Sequence, residues 1–483
     1  MNHKFTIVGG GTAGLVSALI LKKRLNCDVK IIRSEKIGII GVGEGSTEHW
    51  GQFMEAVDIN YQDLIKEAGC TIKLGVYFDS WTKNPYFHNI TEFSQIQAGQ
   101  HQSGVASMYI NDRPQKEITD YHVLDNLIED IDGRSPSRQY HFNTVKLNQY
   151  LTRLCKERDI NIFEDEIVDV KVDSVGITEI QGQKTTYYSD FWIDCTGFSR
   201  TLISKLDAVW NSYEQHLKLN HAIAFQTEDT NEYTPYTLAK AMKYGWLWRI
   251  PVQGRWGNGY IFDDKYIDSN EAKKEVEELY GHEITVGKDI KFNPGALKDP
   301  WIKNCMAVGL SANFVEPLEA TSIGTSINQM FLFLHYWIPN YHNDDIKEFN
   351  YKMECIMNNV RDFVYLHYLV DRNDTTFWKD LKNTSLPDTL KINLKKWSRR
   401  LPISEDFTDT NYCLFKEHNF ASVLYGIEFY DKQQVKIEFE KFSEEVRDEI
   451  ERSVKNHSFY YKVRKDNYTP HKEWLINLQK DVN

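Results

Sequence analysis

The run Gly9-Gly10-Gly11-Thr12-Ala13-Gly14 constrains the fold of this chain more than any other segment. It follows a short β-favouring stretch, Lys4 to Val8, and leads into Leu15 to Leu21, whose spacing and composition predict a helix. A second apolar run, Val29 to Ile32, comes next, so strand, glycine turn, helix and strand fall within about 30 residues. In that context Gly9 permits the tight turn, Gly11 lets a pyrophosphate approach the backbone, and Gly14 lets helix and strand pack closely. The N–H groups of Thr12 and Ala13, at the amino end of the helix, then face the phosphates. A glycine turn in an α/β protein without a nucleotide is the alternative, and the flanking elements favour the nucleotide. An acidic residue usually follows the second strand and holds the ribose. Here Arg33-Ser34-Glu35 stands at that point, and both Glu35 on the ribose and Arg33 on the ribose or a phosphate are open.

Composition narrows the class. The 483 residues are enough for two or more modules, and 41% hydrophobic with 26% charged residues reads as globular and soluble. A formal charge of −12 argues against nucleic acid as the main partner, because phosphate binding needs a basic face. The basic run Lys395 to Arg400 reads as a solvated surface. Seven scattered cysteines, never spaced Cys-x-x-Cys, predict neither disulfides nor a zinc site. The first residues enter a strand directly, so no signal peptide is expected, and no apolar run approaches the ~18 residues of a membrane span. A cytoplasmic setting is expected.

Further motifs follow in order. Gly41-Val42-Gly43-Glu44-Gly45-Ser46-Thr47 is a glycine-rich loop able to lie flat against a planar ligand. Thr71 to Phe78 places Lys73 inside an apolar run, where alternation does not decide between a strand-edge surface lysine and a functional one. His141-Phe142-Asn143 opens a helix expected over 144–158, followed by a strand-rich stretch to Tyr188 and by the strand and turn Phe191 to Arg200. In Gly245-Trp246-Leu247-Trp248-Arg249-Ile250-Pro251 the two indoles share one face of a strand, forming a bulky wall that is also ordinary core. Asn304 to Leu310 is another strand and turn, containing Gly309. Phe314-Val315-Glu316-Pro317-Leu318-Glu319-Ala320-Thr321-Ser322 then opens a long helix, whose free N–H groups near Thr321 and Ser322 suit an anion or merely a structural cap.

This ordered set, with His367 to Trp378, resembles the flavin-dependent halogenases of the tryptophan-halogenase type over residues 5–380. The resemblance implies an α/β fold with a discontinuous FAD-binding doubly wound domain, Rossmann-like and of the aromatic-hydroxylase type. A substrate-side sheet and a mostly helical carboxy-terminal region complete it. The module is expected over 1–340, with insertions at about 80–140 and 205–290, and the helical region over 341–483. Gly9, Gly11, Thr12, Ala13, Gly14, Glu35, Gly41, Val42, Gly43, Glu44 and Gly309 would hold FAD. Lys73 and Glu319 would be catalytic, and Thr321 and Ser322 would hold a halide ion. Ala320 departs from the family's serine and removes one partner of Glu319. The reaction implied is electrophilic halogenation of an electron-rich aromatic small molecule through hypohalous acid, from FADH2, oxygen and halide. A single dinucleotide fingerprint points to FADH2 supplied by a separate flavin reductase. No metal, nucleic acid or membrane is expected, and a homo-oligomer is plausible for a doubly wound flavin domain. Lys379 to Asn483 matches little, so free tryptophan is not established as substrate. The competing readings are a flavin aromatic hydroxylase and a non-catalytic flavin-fold binding protein.

Overall fold

The computed structural model describes residues 3–38, 44–89, 121–129, 134–230, 232–407, 409–452 and 465–480. Its centre is a six-stranded sheet in the order Trp301–Ile302, Cys305–Ala307, Phe191–Asp194, His3–Val8, Cys27–Arg33, Asn161–Glu164. All neighbours are parallel except the first pair. From His3–Val8 the chain steps to Cys27–Arg33 on one side and later fills the other side with Phe191–Asp194. That reversal creates a crevice beyond the carboxyl ends of the strands. Phe5, Ile7, Ile31 and Ile193 are fully buried, as strands covered on both faces must be.

The helix Thr12–Arg24 follows the glycine turn, and Leu15 to Leu21 are all buried. It is wedged between Thr144–Glu157 and Thr321–Tyr336, which explains a nearly continuous apolar sequence rather than one stripe. Lys22, Lys23 and Arg24 close its last turn, where positive charge suits the helix dipole. The helix expected over 144–158 ends at Glu157, with Asn143 capping its start through its side chain.

A second sheet has seven strands, in the order Val286–Lys291, His221–Glu228, Arg255–Phe262, Gly245–Val252, Thr237–Ala241, Gly75–Asp79, Tyr86–Asn89. Only Thr237–Ala241 and Gly75–Asp79 run parallel. Trp248 pairs with Gly259 across this sheet, and a Cβ added at Gly259 would lie 2.1 Å from the indole. Glycine there leaves room for the ring.

A three-stranded sheet joins the two halves, with Gln139–Phe142 between Glu44–Gly45 and Thr71–Lys73. Beyond Thr321 the described chain is mostly helical, with its longest helix at Asn343–Leu366. In the basic run Trp397 is buried, and Arg400 Nη2 lies 2.6 Å from the Asp406 carboxylate. All seven cysteines are free thiols. Among the described residues no helix is long and apolar enough to cross a membrane.

Candidate active site

A cavity of about 1050 Å³ opens at the crevice and runs from the glycine turn to the second sheet. At one end Gly9 has φ +120°, and a Cβ there would meet the Cys195 carbonyl oxygen at 2.1 Å. Gly14 is equally filled, its Cβ falling 2.1 Å from the Gly9 carbonyl oxygen. Gly11 differs, because nothing lies within 4 Å of the Cβ it lacks. It caps the helix without a side-chain hydrogen bond, so the first N–H groups face open cavity. Gly309, at φ +68°, packs against Ala13 across the turn, where a Cβ would lie 2.6 Å from that alanine's Cβ. This cradle, lined by Gly9 to Ala13 and Gly309, fits the phosphates of FAD. Arg33 and Glu35 both line the cavity. The Arg33 side chain is engaged with Glu164, whereas Glu35 is 77% exposed and 3.6 Å from Arg33 Nη2. Gly41, Val42 and Gly43 lie outside the described residues, and Glu44 is described in its backbone only.

Lys73 and Glu319 both line the other end, near enough for each charge to act on the other. Among the described residues Thr71–Lys73 is an edge strand, yet Lys73 is no surface lysine: it is 0% exposed, and Nζ donates to the Ser46 carbonyl at 2.9 Å. Burial lowers its pKa to about 8, against the opposing pull of Glu319. Gly45 separates the two motifs closely, since a Cβ there would lie 3.3 Å from Ala320 Cβ and 3.5 Å from Lys73 Nζ.

Glu319 and Ala320 both adopt left-handed backbone, at φ +65° and +56°. This pair ends the Phe314 segment as a sharp corner, so the long helix starts at Thr321. Such conformations cost non-glycine residues about 1–3 kcal/mol and concentrate at functional sites. The corner buries the Glu319 carboxyl and leaves Thr321 and Ser322 on the cavity wall, at a helix terminus without a side-chain cap. Their N–H groups belong to the first turn and have no intrahelical acceptor. Two histidines flank Glu319, His88 Nδ1 at 2.9 Å and His367 Nε2 at 3.5 Å. Burial pushes the carboxyl's pKa up, but His88, His367 and Lys73 outweigh it and hold the group below the usual range. Both imidazoles are anchored from behind: Tyr86 Oη lies 3.0 Å from His367 Nδ1, and Asn419 Nδ2 lies 3.1 Å from His88 Nε2.

Trp246 and Trp248 line the cavity from the second sheet, with ring centroids 6.1 Å apart. Trp246 Nε1 donates to Glu316 Oε1 at 2.9 Å, and Tyr368 Oη donates to the same oxygen at 2.5 Å. Glu316 is buried, Oε2 has no protein partner among the described residues, and burial raises the carboxyl to about 7. Glu316, His88 and His367 carry no site role in the sequence reading. Glu316 and His367 stand inside motifs quoted there, but their partners come from distant elements.

The sequence matches the tryptophan halogenase family model over residues 4–441. The chain belongs to the tryptophan halogenase family. It is thus an enzyme, a flavin-dependent halogenase that takes FAD and acts on an aromatic substrate. Tryptophan 6-halogenase SttH of Streptomyces toxytricini is 30% identical over 476 residues, spanning 88% of this chain and 89% of that protein. Tryptophan 7-halogenase RebH of Lentzea aerocolonigenes is 27% identical, spanning 84% of each. The fold also matches a tryptophan halogenase from Shewanella frigidimarina, with a TM-score of 0.90, 22% identity and coverage of 99% and 98%.

Proposed function

We propose that this halogenase works by passing an oxidised halide from the cavity to Lys73, where an electron-rich arene takes it up. The observation that carries this reading is the buried Lys73–Glu319 pair beside an uncapped helix terminus on a single cavity. Bound FADH2 supplies, with oxygen, the two-electron oxidation that turns halide into hypohalous acid. Gly9, Gly11, Thr12, Ala13, Gly14 and Gly309 would hold its phosphates, with Glu35 and Arg33 beside the ribose. The N–H groups of Thr321 and Ser322 would hold the halide, where helix N–H groups and dipole favour an anion. Trp246 and Trp248 wall this end with apolar surface, which keeps water from the oxidant. The Lys73 ammonium donates a hydrogen bond to hypohalous acid and polarises it toward the arene. Glu319, held ionised by its histidines, accepts the proton that leaves the ring. As the carbon–halogen bond forms and the oxygen–halogen bond breaks, the hypohalous oxygen takes a proton from the Lys73 ammonium and leaves as water; the ring proton on Glu319 then returns to the lysine. The arrangement makes placement beside Lys73, not the oxidant, the source of regioselectivity. A separate flavin reductase would deliver the reduced cofactor, since the chain has one dinucleotide fingerprint.

The test supplies FADH2 from any reductase, with oxygen and bromide, to the protein and a panel of indoles, phenols and anilines. Mass spectrometry should show the bromine isotope doublet on at least one substrate, only when halide is present. Hydroxylated product formed regardless of halide would replace this reading with a monooxygenase.

A further inference from the structure

The strand that carries Lys73 pairs with Gln139–Phe142 on one side and, among the described residues, has no strand on the other. A buried edge of this kind needs acceptors for its backbone N–H groups. Two arrive from remote parts of the chain: Leu74 N–H donates to the Pro235 carbonyl at 2.6 Å, and Ile72 N–H donates to His471 Nε2 at 3.1 Å. His471 is 1% exposed and opens the helix His471–Lys480, which lies past residue 441, where the family match ends.

That helix is tied to the same region at several points. Trp474 and Leu475 are buried, and the preceding strand Tyr468–Pro470 pairs with Leu127–Glu129. Lys472 Nζ lies 3.0 Å from the Asp229 carboxylate. Gln479 donates to the Gln253 side-chain oxygen at 2.7 Å, and Gln253 donates in turn to the carbonyls of Ile65 and Cys70. The backbone just before Lys73 is therefore held by the helix twice, through Gln253 at Cys70 and directly at Ile72.

We propose that His471 is a positioning residue for Lys73: its ring nitrogen fixes the Ile72 backbone and so keeps the lysine Nζ on the Ser46 carbonyl. The carboxy-terminal helix thereby completes the active site from outside the family-matched region. Burial lowers the imidazole's pKa to about 3, so the ring is neutral at neutral pH and, with its proton on Nδ1, accepts the Ile72 N–H at Nε2. Losing the acceptor leaves a buried N–H unpaired, and the strand edge can recover only by shifting toward water. Such a shift moves Lys73, the next residue. The consequence for turnover rests on the catalytic reading of Lys73; the placement itself does not.

The experiment uses the full chain and measures reductive methylation of Lys73 by formaldehyde, read by peptide mass spectrometry, in wild type, His471→Ala and His471→Gln. Glutamine puts an acceptor oxygen where Nε2 stood. In His471→Ala, Lys73 should react about tenfold faster, as expected for loss of one buried hydrogen bond, and His471→Gln should return it toward wild type. Product per FADH2 oxidised, on a substrate that wild type brominates, should fall and recover in the same order. Equal labelling in wild type and His471→Ala would overturn the proposal. So would faster labelling in both variants alike, which would mark a general loosening of the helix. Lys73→Ala, run in parallel, separates the two claims: halogenation surviving that change would sink the catalytic reading and leave the labelling result standing.

Discussion

Lys73 and Glu316 are two buried groups whose titration lies near neutral pH, and each gives a test with a definite sign. With a pKa near 8, Lys73 is roughly ten parts ammonium to one part amine at pH 7. If the ammonium polarises the oxidant, product formed per FADH2 oxidised should fall as pH rises through about 8. A rise through the same range would make the neutral amine the working form. Glu316 has its folded pKa raised by burial to about 7 from an ordinary 4.5. Its protonated form therefore favours the fold at low pH, and that stability is lost as pH climbs from about 4.5 through about 7. The shift corresponds to about 3 kcal/mol in total. Urea unfolding of wild type and Glu316→Gln at pH 5 and pH 8 should show the wild type losing more stability. Parallel pH dependence in the two proteins would remove Glu316 from the account. Neither behaviour was legible in the sequence. Lys73 sits where two short strands break at Leu74 and residues on both faces are buried, so alternation carries no signal. The environment of Glu316 is assembled by Trp246 and Tyr368, from separate elements.

The strand–glycine–helix unit was readable because its physics is local: period, turn chemistry and helix start lie in one stretch. Its glycines nevertheless do different work, and substitution separates them. Gly9→Ala should destabilise the fold by about 2–4 kcal/mol, since the new Cβ would collide with the Cys195 carbonyl at positive φ. Gly11→Ala has ordinary φ of −75° and open space, so its stability should stay within about 0.5 kcal/mol. It should still weaken FAD binding about tenfold or more, because the methyl projects where the pyrophosphate approaches. Thermal melts and flavin fluorescence quenching on the two variants check both halves; strong flavin binding by a stable Gly11→Ala protein would displace the phosphate site. The corner before Thr321 was less readable. Glu319 and Ala320 take left-handed backbone without glycine, a conformation that their own propensities oppose and the surrounding packing imposes. The motif order located the segment, but only the structure sets the helix start at Thr321, the turn proposed to hold halide.

At the scale of the molecule, the two large sheets enclose one cavity, and the helical carboxy-terminal region backs its reactive end. Phe363 and Phe415 stack at 3.8 Å behind His88, and Asn419 holds that histidine from a helix expected only as generic tail. Such long-range pairings leave no periodic trace, which is why Lys73 and Glu319 could be singled out from their motifs but the shell around them could not. The fold class was legible because the strand–glycine–helix–strand unit announces itself locally and the motif resemblance implied the rest, helical tail included; the contents of the active site depend on which distant elements the fold brings together. In the proposed mechanism Lys73 delivers the halogen while the flavin site stands apart from it. The direct measurement compares Lys73→Ala with wild type, using reduced flavin, oxygen, bromide and a substrate that the wild type brominates. Brominated product should fall by about 100-fold or more, with flavin affinity by fluorescence quenching changed less than about twofold. Full bromination by the variant, with flavin still bound, would contradict the account.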